Sequence, residues 1–167
     1  MNGLSEYVSS AAVIGTGATA VMDLGAMALK AIWGIAPPNY GLVGRWVAYM
    51  MRGQFRHNPI AASRPIGGER VIGWATHYGI GVGFAGLLLA IWGLDWARHP
   101  IPGPALIVGL GTVVFPFLVM QPGMGAGVAS RRAPNPSAAR VRSLVNHGLF
   151  GLGLYVSGWL ALLIGSL

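Results

Sequence analysis

The 167-residue chain is 54% hydrophobic and only 9% charged, with a mean hydropathy of +0.61, whereas a soluble domain carries about 25% charged residues. That composition belongs in a bilayer. Eleven basic against four acidic residues give a formal net charge of +7, which on so apolar a chain points to anionic lipid headgroups and not to nucleic acid. The absence of cysteine excludes disulfides, thiolate metal sites, iron–sulfur clusters and thiol catalysis.

The opening MNGLSEYVSS lacks the basic leader of a signal peptide, so the apolar run behind it is expected to stay as a membrane span. A bilayer core takes about 20 apolar residues per helix, and four windows qualify: 8–33, 71–94, 101–120 and 145–163. The expected fold is an all-α membrane protein of four transmembrane helices, one domain over 1–167. Between the first two spans, the stretch 41–55 (GLVGRWVAYMMRGQF) reads as a helix lying on the membrane surface. There Arg45, Arg52 and Arg56, spaced seven and four apart, would share a face toward anionic headgroups.

The cations set the orientation. All eleven lie at the two long connections or their edges except Arg98, in the short second one. By the positive-inside rule the long connections face the cytoplasm and both chain ends face the periplasm. His57 and His99 fall in connections and are expected to be solvated.

A shift of 70 residues superposes the second window on the fourth: His77 falls on His147, Gly81 on Gly151, Gly83 on Gly153 and Arg70 on Arg140. The first and third windows share Gly-rich, Thr-containing stretches, so the bundle reads as two repeated helical hairpins related by a pseudo-twofold axis along the membrane normal. That axis would set His77 and His147 at one depth, about 10 Å inside the hydrocarbon by helix rise. Asp23 and Met120 belong to the same cytoplasmic-side layer.

Ionisable residues within a span cost about 2.5–3.5 kcal/mol each on insertion scales and mark functional candidates. Three uses compete for this layer. It fixes helix register through internal hydrogen bonds. It holds a noncovalent haem b or a transition-metal ion through His77 and His147, with Met120 or Asp23 near. Or Asp23, His77 and His147 relay protons or ions. The glycines that follow each histidine, Gly79, Gly81 and Gly83, then Gly148, Gly151 and Gly153, serve close helix packing or frame a slot for a flat cofactor. No nucleophile elbow, dinucleotide loop or carboxylate pair is present, so a hydrolytic or transferase active site is not expected.

The motifs Met22-Asp23, Tyr40-Gly-Leu-Val-Gly-Arg-Trp46, Arg56-His-Asn-Pro-Ile-Ala-Ala62, Met120-Gln-Pro-Gly-Met-Gly125, Pro134-Asn-Pro136 and Arg142-Ser-Leu-Val-Asn-His147 resemble those of bacterial inner-membrane proteins grouped as domain of unknown function 2938. The likeness covers nearly the whole chain and implies a stand-alone four-span bacterial protein. It transfers no catalytic residues. The sequence therefore points to a non-enzymatic accessory or cofactor-binding subunit, a homodimer or part of a larger membrane assembly, with a proton, metal-ion or small-solute transporter as the alternative.

Overall fold

The computed structural model describes residues 3–164, and every regular element among them is helical. Helix α1 (Gly3–Trp33) carries Glu6 in its first turn and Lys30 in its last, matching the helix dipole at both ends. It stops at Gly34, whose φ of +67° and N–H bond to the Lys30 carbonyl close the helix in a conformation that glycine adopts freely. Helix α2 (Tyr40–Met50) starts where Asn39 accepts the Gly41 N–H through its side chain. It ends five residues short of the expected Phe55, because the chain turns at Gly53 with φ +78°.

Helix α3 (Glu69–Trp92) begins two residues ahead of the expected window. A short α4 (Leu94–Arg98) leads to α5 (Pro102–Gly111), with proline at its first position, where no amide partner is lost. The helical path then continues through a π turn at Pro116–Met120 into α6 (Gln121–Gly123). Pro116 lacks the N–H that a regular ladder would use, which accounts for the irregular turn at this point. Helix α7 (Pro136–Leu163) opens on an Asn135 side-chain cap to the Ala138 N–H and begins nine residues before the expected window.

Three stretches are long and apolar enough to cross a membrane: Gly3–Trp33, Glu69–Trp92 and Pro102–Gly123. Helix α7 is longer than two of these, but Asn146 and His147, inside its apolar half, lower its hydropathy.

The chain forms two compact units. The first, 1–37 with 78–112 and 145–167, has a core drawn from all its helical segments: Ile14 and Ala18 of α1, Leu88 of α3, Trp96 of α4, Ala105 of α5 and Leu154 of α7. Close backbone approach builds it. A Cβ on Gly15 would lie 2.7 Å from the Gly81 carbonyl oxygen, and one on Gly109 would strike the Gly151 backbone. At both crossings a threonine hydroxyl bonds back to the glycine carbonyl, Thr19 to Gly15 at 2.8 Å and Thr112 to Gly109 at 2.7 Å. Tyr7 adds a 2.6 Å hydrogen bond to the Gly86 carbonyl, and Arg98 an exposed ion pair to Glu6.

The second unit, 38–77 with 113–144, holds α2, the start of α3 and the irregular stretch around the π turn. Gly44 of α2 and Gly73 of α3 allow backbone contact there: a Cβ on either would collide with the other segment's main chain. Trp46 lies over Gly123 and donates its indole N–H to the Phe55 carbonyl at 3.0 Å.

Candidate functional site

The polar residues singled out in the spans divide between the two units. In the first unit the Asp23 carboxylate accepts a hydrogen bond from the Tyr78 hydroxyl. His147 contacts the Thr112 hydroxyl oxygen at 3.1 Å and the Gly109 carbonyl at 3.2 Å, both through Nδ1. The Thr112 proton is already given to Gly109, so Nδ1 must be the donor to Thr112. In a neutral ring Nε2 is then the acceptor nitrogen.

In the second unit His77 is stacked on Tyr40, with centroids 4.0 Å apart and planes inclined by 21°, and meets Trp74 edge-on at 5.8 Å. Met120 ends the π turn and is partly buried. Each histidine thus has a ring environment of its own, hydroxyl and carbonyl for His147, aromatic for His77. No three His, Asp or Glu side chains among the described residues gather closely enough to hold a metal ion.

The glycines separate by local contact. Gly81 and Gly153 face a threonine side chain or backbone at distances that exclude a Cβ, which on Gly153 would lie 2.6 Å from the Ala18 carbonyl oxygen, and a Cβ on Gly151 would be tight, at 3.0 Å from the Ala105 carbonyl oxygen. Gly79 and Gly83 have nothing within 4 Å, and Gly148 has only a Leu110 methyl at 3.7 Å. The close ones are filled by neighbouring helix and leave no slot on those faces.

The second unit contains a polar assembly that the sequence reading did not anticipate. Arg45 is buried. Its Nε and Nη2 donate to the two Glu69 carboxylate oxygens at 2.8 Å each, and Nη1 donates to the Ser63 carbonyl at 2.9 Å, with longer contacts to the carbonyls of Ile60 and Ala61. The Glu69 hydrogen bonds hold the guanidinium above its ordinary pKa against the opposing cost of burial. Glu69 also accepts the Ile66 N–H, so one carboxylate ties the start of α3 to α2.

Two expectations are corrected here. Arg45, Arg52 and Arg56 do not share a helical face, because α2 ends at Met50 and Arg45 points inward to Glu69. Only Arg52 and Arg56 are exposed. His57 is not solvated: it is 8% exposed, its Nδ1 shares a 2.8 Å hydrogen bond with the Ser63 hydroxyl, and Tyr49 meets its ring edge-on. His99 is exposed as expected.

The His57 segment is held from several sides. The His57 and Ile60 N–H groups donate to the Gly123 and Met124 carbonyls, both at 2.9 Å, which joins the Arg56–Ala62 motif to the Met120–Gly125 motif. Gly125, at φ +94°, lies against the His57 carbonyl with no room for a side chain. Gln121 donates to the Ser143 hydroxyl at 3.2 Å, and Arg140 donates to the Ala129 carbonyl at 2.8 Å. Glu69, Ser63, Tyr40, Thr112 and Tyr78 are the participants that the sequence reading missed. Tyr78 alone had a signal, its place beside His77 in a span.

These features define an all-helical protein with helices suited to a membrane and a compact arginine-rich unit in which a buried arginine is paired with a half-buried glutamate. The chain belongs to the family described as a protein of unknown function, DUF2938, whose model matches residues 12–161. No curated protein and no solved structure matches it.

Proposed function

We propose that the protein is a non-enzymatic, four-span accessory subunit of the bacterial inner membrane that packs against a second copy or a larger membrane assembly. The observation that carries this reading is the outward apolar surface on each long helical stretch. Leu24 and Met27 of α1, Ile80 and Ile91 of α3, Ile107 of α5 and Leu160 of α7 are all exposed, a pattern expected of surface that meets lipid or another membrane helix. The same pattern on α7 supports counting it as the fourth span.

The duplicated hairpin is supported by the two glycine crossings. Gly81 and Gly151, 70 positions apart, each pack on a glycine of the preceding long helix, and each of those glycines receives a threonine hydroxyl. The arginine distribution favours both long connections on the cytoplasmic side and both chain ends on the periplasmic side, with Arg52 and Arg56 available to anionic headgroups.

The cofactor-holding version of this role has less support. His77 is stacked on Tyr40, and the closest glycine faces are filled by backbone. The transport alternative draws on the Asp23–Tyr78 hydrogen bond inside the first unit. The fully buried Ile14, Ala18, Leu88 and Leu154 in the same unit favour a closed interior.

Native electrophoresis of gently solubilised membranes tests the proposal. The chain is expected to migrate with other polypeptides or as a dimer, and migration as a lone monomer would overturn the role. An absorption spectrum of the same preparation is expected to lack a Soret band. A band lost in His147→Ala or His77→Ala would restore the cofactor version.

A further inference from the structure

We propose that the concavity formed by the segment 54–63 is a binding site for the phosphate group of an anionic ligand. It is a shallow, wide-open hollow of about 400 Å³, and Arg56, His57, Asn58, Gln54 and Ser63 contribute to its wall. No carboxylate lines it.

Three observations point to this chemistry. The first is charge. Five arginines over 38–77 and four over 113–144 face one acid, Glu69, and that acid is already paired with Arg45. Arg56 has no ion pair among the described residues. A guanidinium presents a planar fork that matches phosphate oxygens, and Asn58 and Gln54 add neutral donors.

The second is an unsatisfied polar atom. The buried His57 ring has Ser63 on Nδ1 but no hydrogen-bond partner for Nε2 among the described residues. Buried polar atoms are nearly always paired, so this nitrogen, closed off from solvent beneath the wall, leaves one hydrogen-bonding group of the segment unmet.

The third is preorganisation. The segment is pinned by the His57 and Ile60 amide bonds to Gly123 and Met124, and Arg45 ties down the carbonyls at its far end. A wall held in this way loses little freedom on binding.

Two sources carry this group, a soluble phosphate compound and the headgroup of a membrane phospholipid. The full-length protein in neutral detergent is titrated with inorganic phosphate at constant ionic strength, with acetate as the control anion, and thermal unfolding is followed. In a second arm it is placed in phosphatidylcholine nanodiscs with and without phosphatidylglycerol. Saturable stabilisation is expected in at least one arm. Arg56→Gln should weaken it roughly tenfold or more, as loss of one hydrogen-bonded charge does. Asn58→Ala should weaken it less. Arg142→Gln, an exposed arginine outside the pocket, should leave it within about twofold.

An effect of inorganic phosphate identifies a soluble ligand, and an effect of phosphatidylglycerol alone identifies a headgroup. Only the second depends on the orientation proposed above. No saturable effect in either arm, or equal losses in Arg56→Gln and Arg142→Gln, would overturn the site. Unchanged circular dichroism of each variant separates lost binding from lost fold.

Discussion

Arg45 and Glu69, 24 positions apart, meet through two parallel hydrogen bonds of 2.8 Å, and the remaining guanidinium nitrogen reaches back to the Ser63 carbonyl. The pair joins α2 to the first residue of α3 and gives the intervening loop a fixed end to fold against. With side chains 9% and 19% exposed, the two charges are largely withdrawn from water, so removing one leaves the other uncompensated.

Arg45→Gln and Glu69→Gln are each expected to destabilise the protein by about 1–3 kcal/mol, since the partly exposed Glu69 is still reached by solvent, and the Arg45→Met/Glu69→Leu pair by less than either. Denaturant unfolding in detergent, compared across the three variants, checks this. A double variant as unstable as the sum of the singles would show that the ion pair is not a unit.

The glycine contacts give a second contrast. Gly153→Ala would place a methyl 2.6 Å from the Ala18 carbonyl oxygen, against rigid backbone, whereas Gly79→Ala meets nothing within 4 Å. The first should cost about 1–3 kcal/mol or more by overpacking, and the second should stabilise by about 0.5–1 kcal/mol through lower backbone entropy in the unfolded chain. Melting temperatures of the two variants should move in opposite directions. A loss in Gly79→Ala equal to that in Gly153→Ala would mean that the Gly79 face is also covered.

This contrast also marks what can be read from the chain alone. Apolar runs and basic connections are local signals, and they locate the long helices to within a few residues in most cases; the Asn39 and Asn135 caps and the Gly34 stop are equally local but emerge only with the structure. Gly79 and Gly81 look equivalent in sequence, but two residues turn the helix by about 200°, so one faces open space and the other a neighbouring helix. Arg45 has the amphipathic spacing of a surface cation on α2. Its burial depends on Glu69, and no spacing rule links an arginine to an acid that far along the chain. The burial of His57 is hidden from local pattern for a related reason, since its cover comes from Tyr49, Ser63 and the distant Gly123–Gly125 backbone.

The absence of cysteine allows the membrane orientation to be measured directly. Single cysteines at the exposed sites Gly67→Cys and Ser137→Cys should resist a membrane-impermeant maleimide in intact cells and react after lysis. Asp95→Cys, in the short connection between α3 and α5, should react in both cases. Labelling of Ser137→Cys and Gly67→Cys on opposite sides would rule out an arrangement of four spans with both long connections in the cytoplasm.

Asp23 and Tyr78 provide the sharpest division between an accessory subunit and a proton pathway. If their hydrogen bond only fixes the position of α1 against α3 in the first unit, Tyr78→Phe should cost about 0.5–1.5 kcal/mol, the range for a hydrogen bond between membrane helices. Proteoliposomes containing the wild-type chain should then pass protons no faster than empty vesicles, with or without Asp23→Asn. A relay makes the opposite demand, because the carboxylate must gain and lose a proton in every cycle and asparagine has none to exchange. Wild-type flux well above the empty-vesicle rate, abolished by Asp23→Asn and retained in Tyr78→Phe, would therefore displace the accessory role. A pH-sensitive dye trapped in the vesicles, read after a potassium diffusion potential is imposed, distinguishes the two outcomes.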